Sequence, residues 1–288
     1  MQRVLHNTRT TLEMIKWEHS VFALPFALTA AVLAANGWPN PRTLLLIVLC
    51  MVSARSAAMA FNRYADAELD AANPRTLTRA LPAGQLSKGF VLLFTIFAAG
   101  IFVGCAALLN RLTFLLSPVA LLVVLSYSYM KRLTRWSHLV LGLALGIAPS
   151  AAWIAVRGHF NPRVLLLTTI VLLWVGGFDV LYACQDFEHD RAAGLHSVPA
   201  AFGLGGAFWI ARSMHLAVAV LLFVFAHVFG LGVVAVVGLA LVVLLLAYEH
   251  SIISPGDLRR MNAAFFTLNG IISVVFFLFV AADVFLRR

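Results

Sequence analysis

Leu231-Gly232-Val233-Val234-Ala235-Val236-Val237-Gly238-Leu239-Ala240-Leu241-Val242-Val243-Leu244-Leu245-Leu246-Ala247 carries no charge, amide or hydroxyl on any side chain. A barrel strand in a membrane alternates apolar and polar residues over about 10 positions. This run is apolar on every side, so it reads as a helix that satisfies its backbone internally and lies in hydrocarbon. Working outward, similar runs fall near 19–36, 43–61, 89–109, 112–130, 138–156, 164–184, 213–229, 231–248 and 264–285. The expected architecture is all-α: a polytopic membrane protein with nine transmembrane helices in one domain spanning 1–288.

Composition agrees. Of 288 residues, 62% are hydrophobic and 11% charged, and the mean hydropathy is +0.93. Soluble domains carry about 25% charged residues, so a water-facing globule is excluded. The net charge of +9 does not indicate nucleic acid, because the basic residues lie between apolar runs, where topology places them. With the N-terminus inside, 14 Lys and Arg fall on the cytoplasmic side and six on the other, with Arg55 left within a helix. The expectation is a multi-pass protein of the cell inner membrane. Its first 18 residues mix Glu13 and Glu18 with Arg3, Arg9 and Lys16 and do not read as a cleavable signal. Cys50, Cys105 and Cys184 have no CxxC spacing and read as small buried residues. No motif points to a protein partner.

The acids carry the functional signal. Asp66, Glu68, Asp70, Asp186, Glu188 and Asp190 are six of the 12 acidic residues, confined to two windows of five positions. Asn62, Asp66 and Asp70 recur every fourth residue, and Tyr182, Asp186 and Asp190 repeat that spacing. Residues four apart share a helix face. Like charges at that spacing repel, more so where water is scarce, so a cation is needed. Mg²⁺ takes one or two carboxylates and completes its shell with water and phosphate oxygens. Two such helix ends, 62–70 and 182–190, are expected to hold Mg²⁺ on a diphosphate through Asp66, Asp70, Asp186 and Asp190. The alternative is a solvated acidic patch paired with Arg63, Arg75, Arg79 and Arg191.

Arg75, Arg79, Lys131, Arg132 and Arg191 stand on the same side and suit phosphate oxygens. Deeper in the membrane, Arg55 lies seven residues before Asn62 and Asp179 seven before Asp186. Ionisable groups there face a bundle interior and mark function. They could neutralise one another or shape a cavity beneath the diphosphate.

Asn62 to Asp70, Asn73-Pro74-Arg75-Thr76 with Arg79 and Pro82-Ala83-Gly84, and Tyr182-x-x-x-Asp186-x-x-x-Asp190 resemble the two signatures of the UbiA superfamily of intramembrane prenyltransferases. Arg55, Asp179 and Ser126-Tyr127-Ser128-Tyr129-Met130-Lys131-Arg132 extend the resemblance over nearly the whole chain. It implies prenyl transfer from an allylic polyprenyl diphosphate to an acceptor, with Mg²⁺ held by the four aspartates. Asn62, Arg55, Arg75, Arg79, Lys131, Arg132, Tyr182 and Arg191 are candidates for substrate binding, and Asp179 for assisting the phenol or the loss of its ring proton.

Arg63 replaces the Asp that usually follows the motif's Asn, which argues against a metal role there. The phrase Lys16-Trp17-Glu18-His19-Ser20 resembles the bacterial menaquinone branch of the futalosine route. The aromatic acceptor is thus expected to be 4-hydroxybenzoate or a dihydroxynaphthoate, in ubiquinone or menaquinone biosynthesis. A haem or chlorophyll-type acceptor is the nearer rival. An ion-coupled transporter is the more distant one, since transporter sites sit near the midplane at broken helices, whereas both acid clusters lie at helix ends on one side.

Overall fold

The computed structural model describes residues 10–15 and 23–287, all-helical apart from turns and one isolated bridge between Ser254 and Asp257. We number the helices α1 (Leu24–Ala35), α2 (Pro41–Ala65), α3 (Ala67–Ala72), α4 (Lys88–Leu109), α5 (Arg111–Leu133), α6 (Ser137–Arg157), α7 (Val164–Ala183), α8 (Phe187–Ala192), α9 (Val198–Val228), α10 (Val233–Ile252) and α11 (Asn269–Leu286).

Eight helical stretches are long and apolar enough to cross a membrane. The chain is an integral membrane protein. The first of the nine expected segments appears as α1, which has 12 residues, and that segment's start within 16–22 falls outside the described residues. The expected spans near 213–229 and 43–61 are longer in the structure. Helix α9 begins at Val198, with Ser197 accepting the Ala200 N–H as N-cap and Pro199 in the first turn, so most of the expected connection 185–212 is helical. The breaker phrase acts inside the helix instead: Gly203 has φ +72° and kinks it, a backbone region open chiefly to glycine.

Local chemistry sets the other ends. Asn40, Ser87 and Asn110 each accept a backbone N–H two or three residues on, at the starts of α2, α4 and α5. Pro118 and Pro149 lie inside α5 and α6, as neighbouring helices in a membrane allow. Helix α7 is the hub, packed by α6, α9 and α1. Its spanning window is 72% buried, against 11% for α5. Around it lies a core containing Phe26, Trp174, Phe178, Phe225 and Phe276.

Helices α6 and α7 approach closely because Gly142 and Gly146 face backbone. A Cβ on Gly146 would stand 2.8 Å from the Thr168 carbonyl oxygen, and one on Gly142 would collide with that of Leu172. Small residues four apart are the usual means of such contact in membranes. On the opposite helix a Cβ on Gly176 would lie 3.5 Å from the His138 carbonyl. The first turn of α6 is thereby brought against the last turns of α7, where Asp179 lies.

Candidate active site

Both acid motifs break their helices at the first aspartate. Asp66 ends α2 with φ −97° and ψ 7°, and Asp186 precedes α8 with φ −100° and ψ 8°. The pair therefore share a local geometry, although neither motif is the continuous helix its spacing predicts. The fourfold spacing still sorts the side chains. Asp70, Asp186 and Asp190 are buried and Asp66 partly so, while Glu68 and Glu188 are exposed. Three of the four aspartates are enclosed, while Arg75 stays exposed.

The two motifs meet directly. Arg75 donates from Nε to Asp186 Oδ1 at 2.8 Å and from Nη2 to Oδ2, a bidentate fork across the two halves of the chain. Its Nη1 donates to the Tyr182 hydroxyl at 3.3 Å, and Asn73 Nδ2 adds a bond to Asp186 at 3.3 Å. Arg79 Nη1 holds Asp70 Oδ1 at 2.6 Å, with Arg63 Nη1 3.8 Å from the other oxygen. Asn62 donates to Asp66 Oδ2 at 2.9 Å. From the end of α5, Arg132 reaches Asp66 Oδ1 at 3.0 Å and the Ala65 carbonyl at 2.6 Å. Lys131 stands within Coulomb range of both Asp66 and Asp186. Three segments distant in sequence thus converge on one cluster.

Burial pushes the Asp66 carboxyl above its ordinary range, and neighbouring Asp70 adds to the shift, against the opposing pull of Arg132 and Lys131. Arg75 shows the reverse balance for a cation: burial opposes its charge, but the bonds to Asp186 outweigh that and raise it.

Arg191 is not part of the cluster. It is exposed and lies over the Phe187 ring at 5.5 Å, about 100° round α8 from the buried Asp190. Asp179 and Arg55 are not joined as an ion pair either. Asp179 Oδ2 pairs at 2.7 Å with Nδ1 of His138, a residue with 0% exposure. Arg55 instead feels the like charge of Arg63, and its Nε is buried without a hydrogen-bond partner. Tyr127 lies in Coulomb range of Asp179, Asp66, Arg63 and Arg79, linking the deep end of the site to its mouth. Asn73, Tyr127 and His138 were not marked as site residues by their spacing. Two stand in stretches that carry the family resemblance, and His138 carries no signal beyond its place just after them.

Four aspartates suit a hard divalent cation by donor type. Asp70 Oδ2 and Asp190 Oδ2 are buried without a hydrogen-bond partner, so lone pairs remain for a metal where a filled ion-pair network would leave none. Among the described residues no three acidic, histidine or cysteine groups converge closely enough to hold an ion unaided. Asp66, Asp70 and Asp186 are each engaged by an arginine.

The sequence profile of the UbiA prenyltransferase family matches residues 23–271. The chain belongs to the UbiA prenyltransferase family. A UbiA relative from Vibrio cholerae, 4-hydroxybenzoate octaprenyltransferase, is 36% identical over 246 residues, covering 84% of this chain and 85% of the relative. The apo structure of a UbiA homologue from Aeropyrum pernix K1 is 31% identical, with a TM-score of 0.81, covering 94% of this chain and 98% of that one. A UbiA homologue from Archaeoglobus fulgidus bound to DMAPP and Mg²⁺ shares the fold at 21% identity, with a TM-score of 0.76 over 96% and 99% of the two chains.

Proposed function

We propose that this UbiA-family protein transfers a polyprenyl group from polyprenyl diphosphate to a ring carbon of an aromatic hydroxy acid, 4-hydroxybenzoate or a dihydroxynaphthoate, in respiratory quinone biosynthesis. The observation that carries this reading is the Arg75 fork to Asp186, which closes both acid motifs around one mouth lined by Arg79, Lys131 and Arg132. The Vibrio cholerae relative's name favours 4-hydroxybenzoate.

Asp66, Asp70, Asp186 and Asp190 would hold Mg²⁺. The ion supplies Lewis-acid stabilisation of negative charge on the departing diphosphate. The arginines contribute through exchange of partners: each guanidinium that now neutralises a carboxylate can turn to a phosphate oxygen, a geometry its fork fits equally well. The allylic C–O bond breaks with its electron pair leaving on the diphosphate. The electron-rich ring supplies the pair for the new C–C bond, and Asp179 accepts the ring proton. Such groups accelerate transfer to the extent that they bind developing charge better than substrate. The prenyl tail lies along lipid-facing apolar helices, which explains an active site inside a membrane.

Arg55 is the acceptor's anchor in this account. A guanidinium enclosed beside Arg63 with Nε unpartnered needs an anion, since burying a charge unpaired is costly, and both acceptors carry a carboxylate. Arg55→Met is expected to raise KM for the aromatic acid about 10-fold or more and leave KM for polyprenyl diphosphate nearly unchanged. An unchanged KM for the aromatic acid in Arg55→Met would overturn the assignment.

The site faces the cytoplasm of the inner membrane in this reading, as the Lys and Arg distribution favours. Glu68 and Glu188 are exposed at the motif ends. Single cysteines there should both be labelled by a membrane-impermeant maleimide only when the cytoplasmic face is open. Labelling from opposite faces would refute the orientation.

A further inference from the structure

We infer that His138 is a positioning residue that fixes Asp179 as the proton acceptor of the reaction, with Oδ2 tied back and Oδ1 presented to the acceptor ring. The inference rests on the proposed role of Asp179 and adds the residue that makes that role possible.

Donors and acceptors fix the place of the His138 ring proton. His138 Nε2 lies 3.3 Å from the backbone nitrogen of Val198, in the first turn of α9. A backbone N–H can only donate, so Nε2 must be the unprotonated, accepting nitrogen. The ring proton of a neutral imidazole then belongs to Nδ1, which stands 2.7 Å from Asp179 Oδ2 and donates to it. A proton on Oδ2 would face that N–H donor to donor, so the arrangement as built is satisfied only with Oδ2 as an acceptor. Orientation of an imidazole by the bond its other nitrogen makes is general in histidine chemistry.

The rest of the pocket leaves Oδ1 as the working oxygen. Asp179 shows no hydrogen bond to Oδ1 among the described residues, and its side chain keeps 12% of its surface exposed while the histidine keeps none. Of the titratable groups that face it, His138 comes from α6 and Tyr127 from α5. His215 of α9 is not among them: it packs on Gly177 and the Trp174 carbonyl, and Gly177 lies about 200° round the helix from Asp179. The close glycine contact of α6 with α7 places the His138 backbone within reach. Val198 follows the second acid motif by only eight positions, so the same imidazole ties Asp179 to the segment leading out of the diphosphate site.

Two substitutions separate the two bonds, because an Asn amide lies near the Nδ1 position and a Gln amide near Nε2. His138→Asn keeps a donor for Asp179 and gives up Val198. His138→Gln keeps a partner for Val198 and gives up Asp179. Both are polar and of similar bulk to histidine, and folding is checked by thermal melting and by binding of inorganic diphosphate with Mg²⁺. With purified enzyme in proteoliposomes, His138→Asn is expected to retain kcat within about threefold of the natural enzyme. His138→Gln should lose about 50-fold in kcat with KM for polyprenyl diphosphate unchanged. Equal kcat for the two variants, or Gln faster than Asn, would overturn the inference, since the Val198 contact or bulk alone would then be what matters. Asp179→Asn, measured in parallel, tells the two failures apart. If it is inactive while the His138 variants do not differ, only the positioning role falls. If it turns over normally, the role of Asp179 as proton acceptor falls, and the inference with it.

Discussion

Asp70→Asn and Asp190→Asn are each expected to lower kcat about 100-fold or more while leaving the protein folded in the membrane. The amide keeps the shape of the carboxylate but removes the charge that a hard cation selects, and losing one preorganised electrostatic group at a reacting centre commonly costs about 10²–10³ in rate. These two positions are the sharpest probes among the four aspartates, because each has a buried oxygen with no hydrogen-bond partner. Asp66 and Asp186 have every oxygen engaged by Arg132 and Asn62, or by Arg75 and Asn73, whereas Asp70 keeps one oxygen free although Arg79 holds the other. Turnover of Asp190→Asn at the natural rate, measured with saturating polyprenyl diphosphate, would remove Asp190 from the metal site.

Chelation should have the largest effect of all. EDTA is expected to abolish turnover and Mg²⁺ to restore it. The metal and the diphosphate should also bind together rather than singly. In the structure Asp70 and Asp186 are neutralised by Arg79 and Arg75, so Mg²⁺ alone, to draw on all four aspartates, must displace an arginine with nothing to receive it. With diphosphate present, the arginine moves onto phosphate as the carboxylate moves onto metal, and no charge is left unpaired in an enclosed site. Calorimetric titration should show tighter Mg²⁺ binding in the presence of inorganic diphosphate, by about 10-fold or more. Full activity in metal-free buffer would contradict the clamp.

The carboxylates were legible in the sequence because acids are scarce in this chain and the two windows repeat one spacing. Burial of Asp70, Asp186 and Asp190 beside exposed Glu68 and Glu188 is what a fourfold period implies. The break in backbone at Asp66 and at Asp186 was not legible, since a residue near φ −100° and ψ 0° is held there by tertiary contacts that no local preference encodes. Arg191 stands exposed over the Phe187 ring, a placement set by how the short α8 docks. His138 escaped because a single histidine at the start of an apolar helix has no period, and its meaning comes from Asp179, 41 residues away. Hydropathy places the start of α9 late because Arg212 interrupts the apolar run, whereas Ser197 and Pro199 supply a sound beginning that hydropathy does not register.

The product that the enzyme makes is the most direct test. Purified protein in proteoliposomes, given radiolabelled polyprenyl diphosphate, Mg²⁺ and either 4-hydroxybenzoate or dihydroxynaphthoate, should yield one C-prenylated aromatic product per diphosphate released, identified by chromatography and mass spectrometry. Failure to prenylate either aromatic acid, with label appearing on haem or a chlorophyll-type acceptor or released only as free prenol, would contradict it.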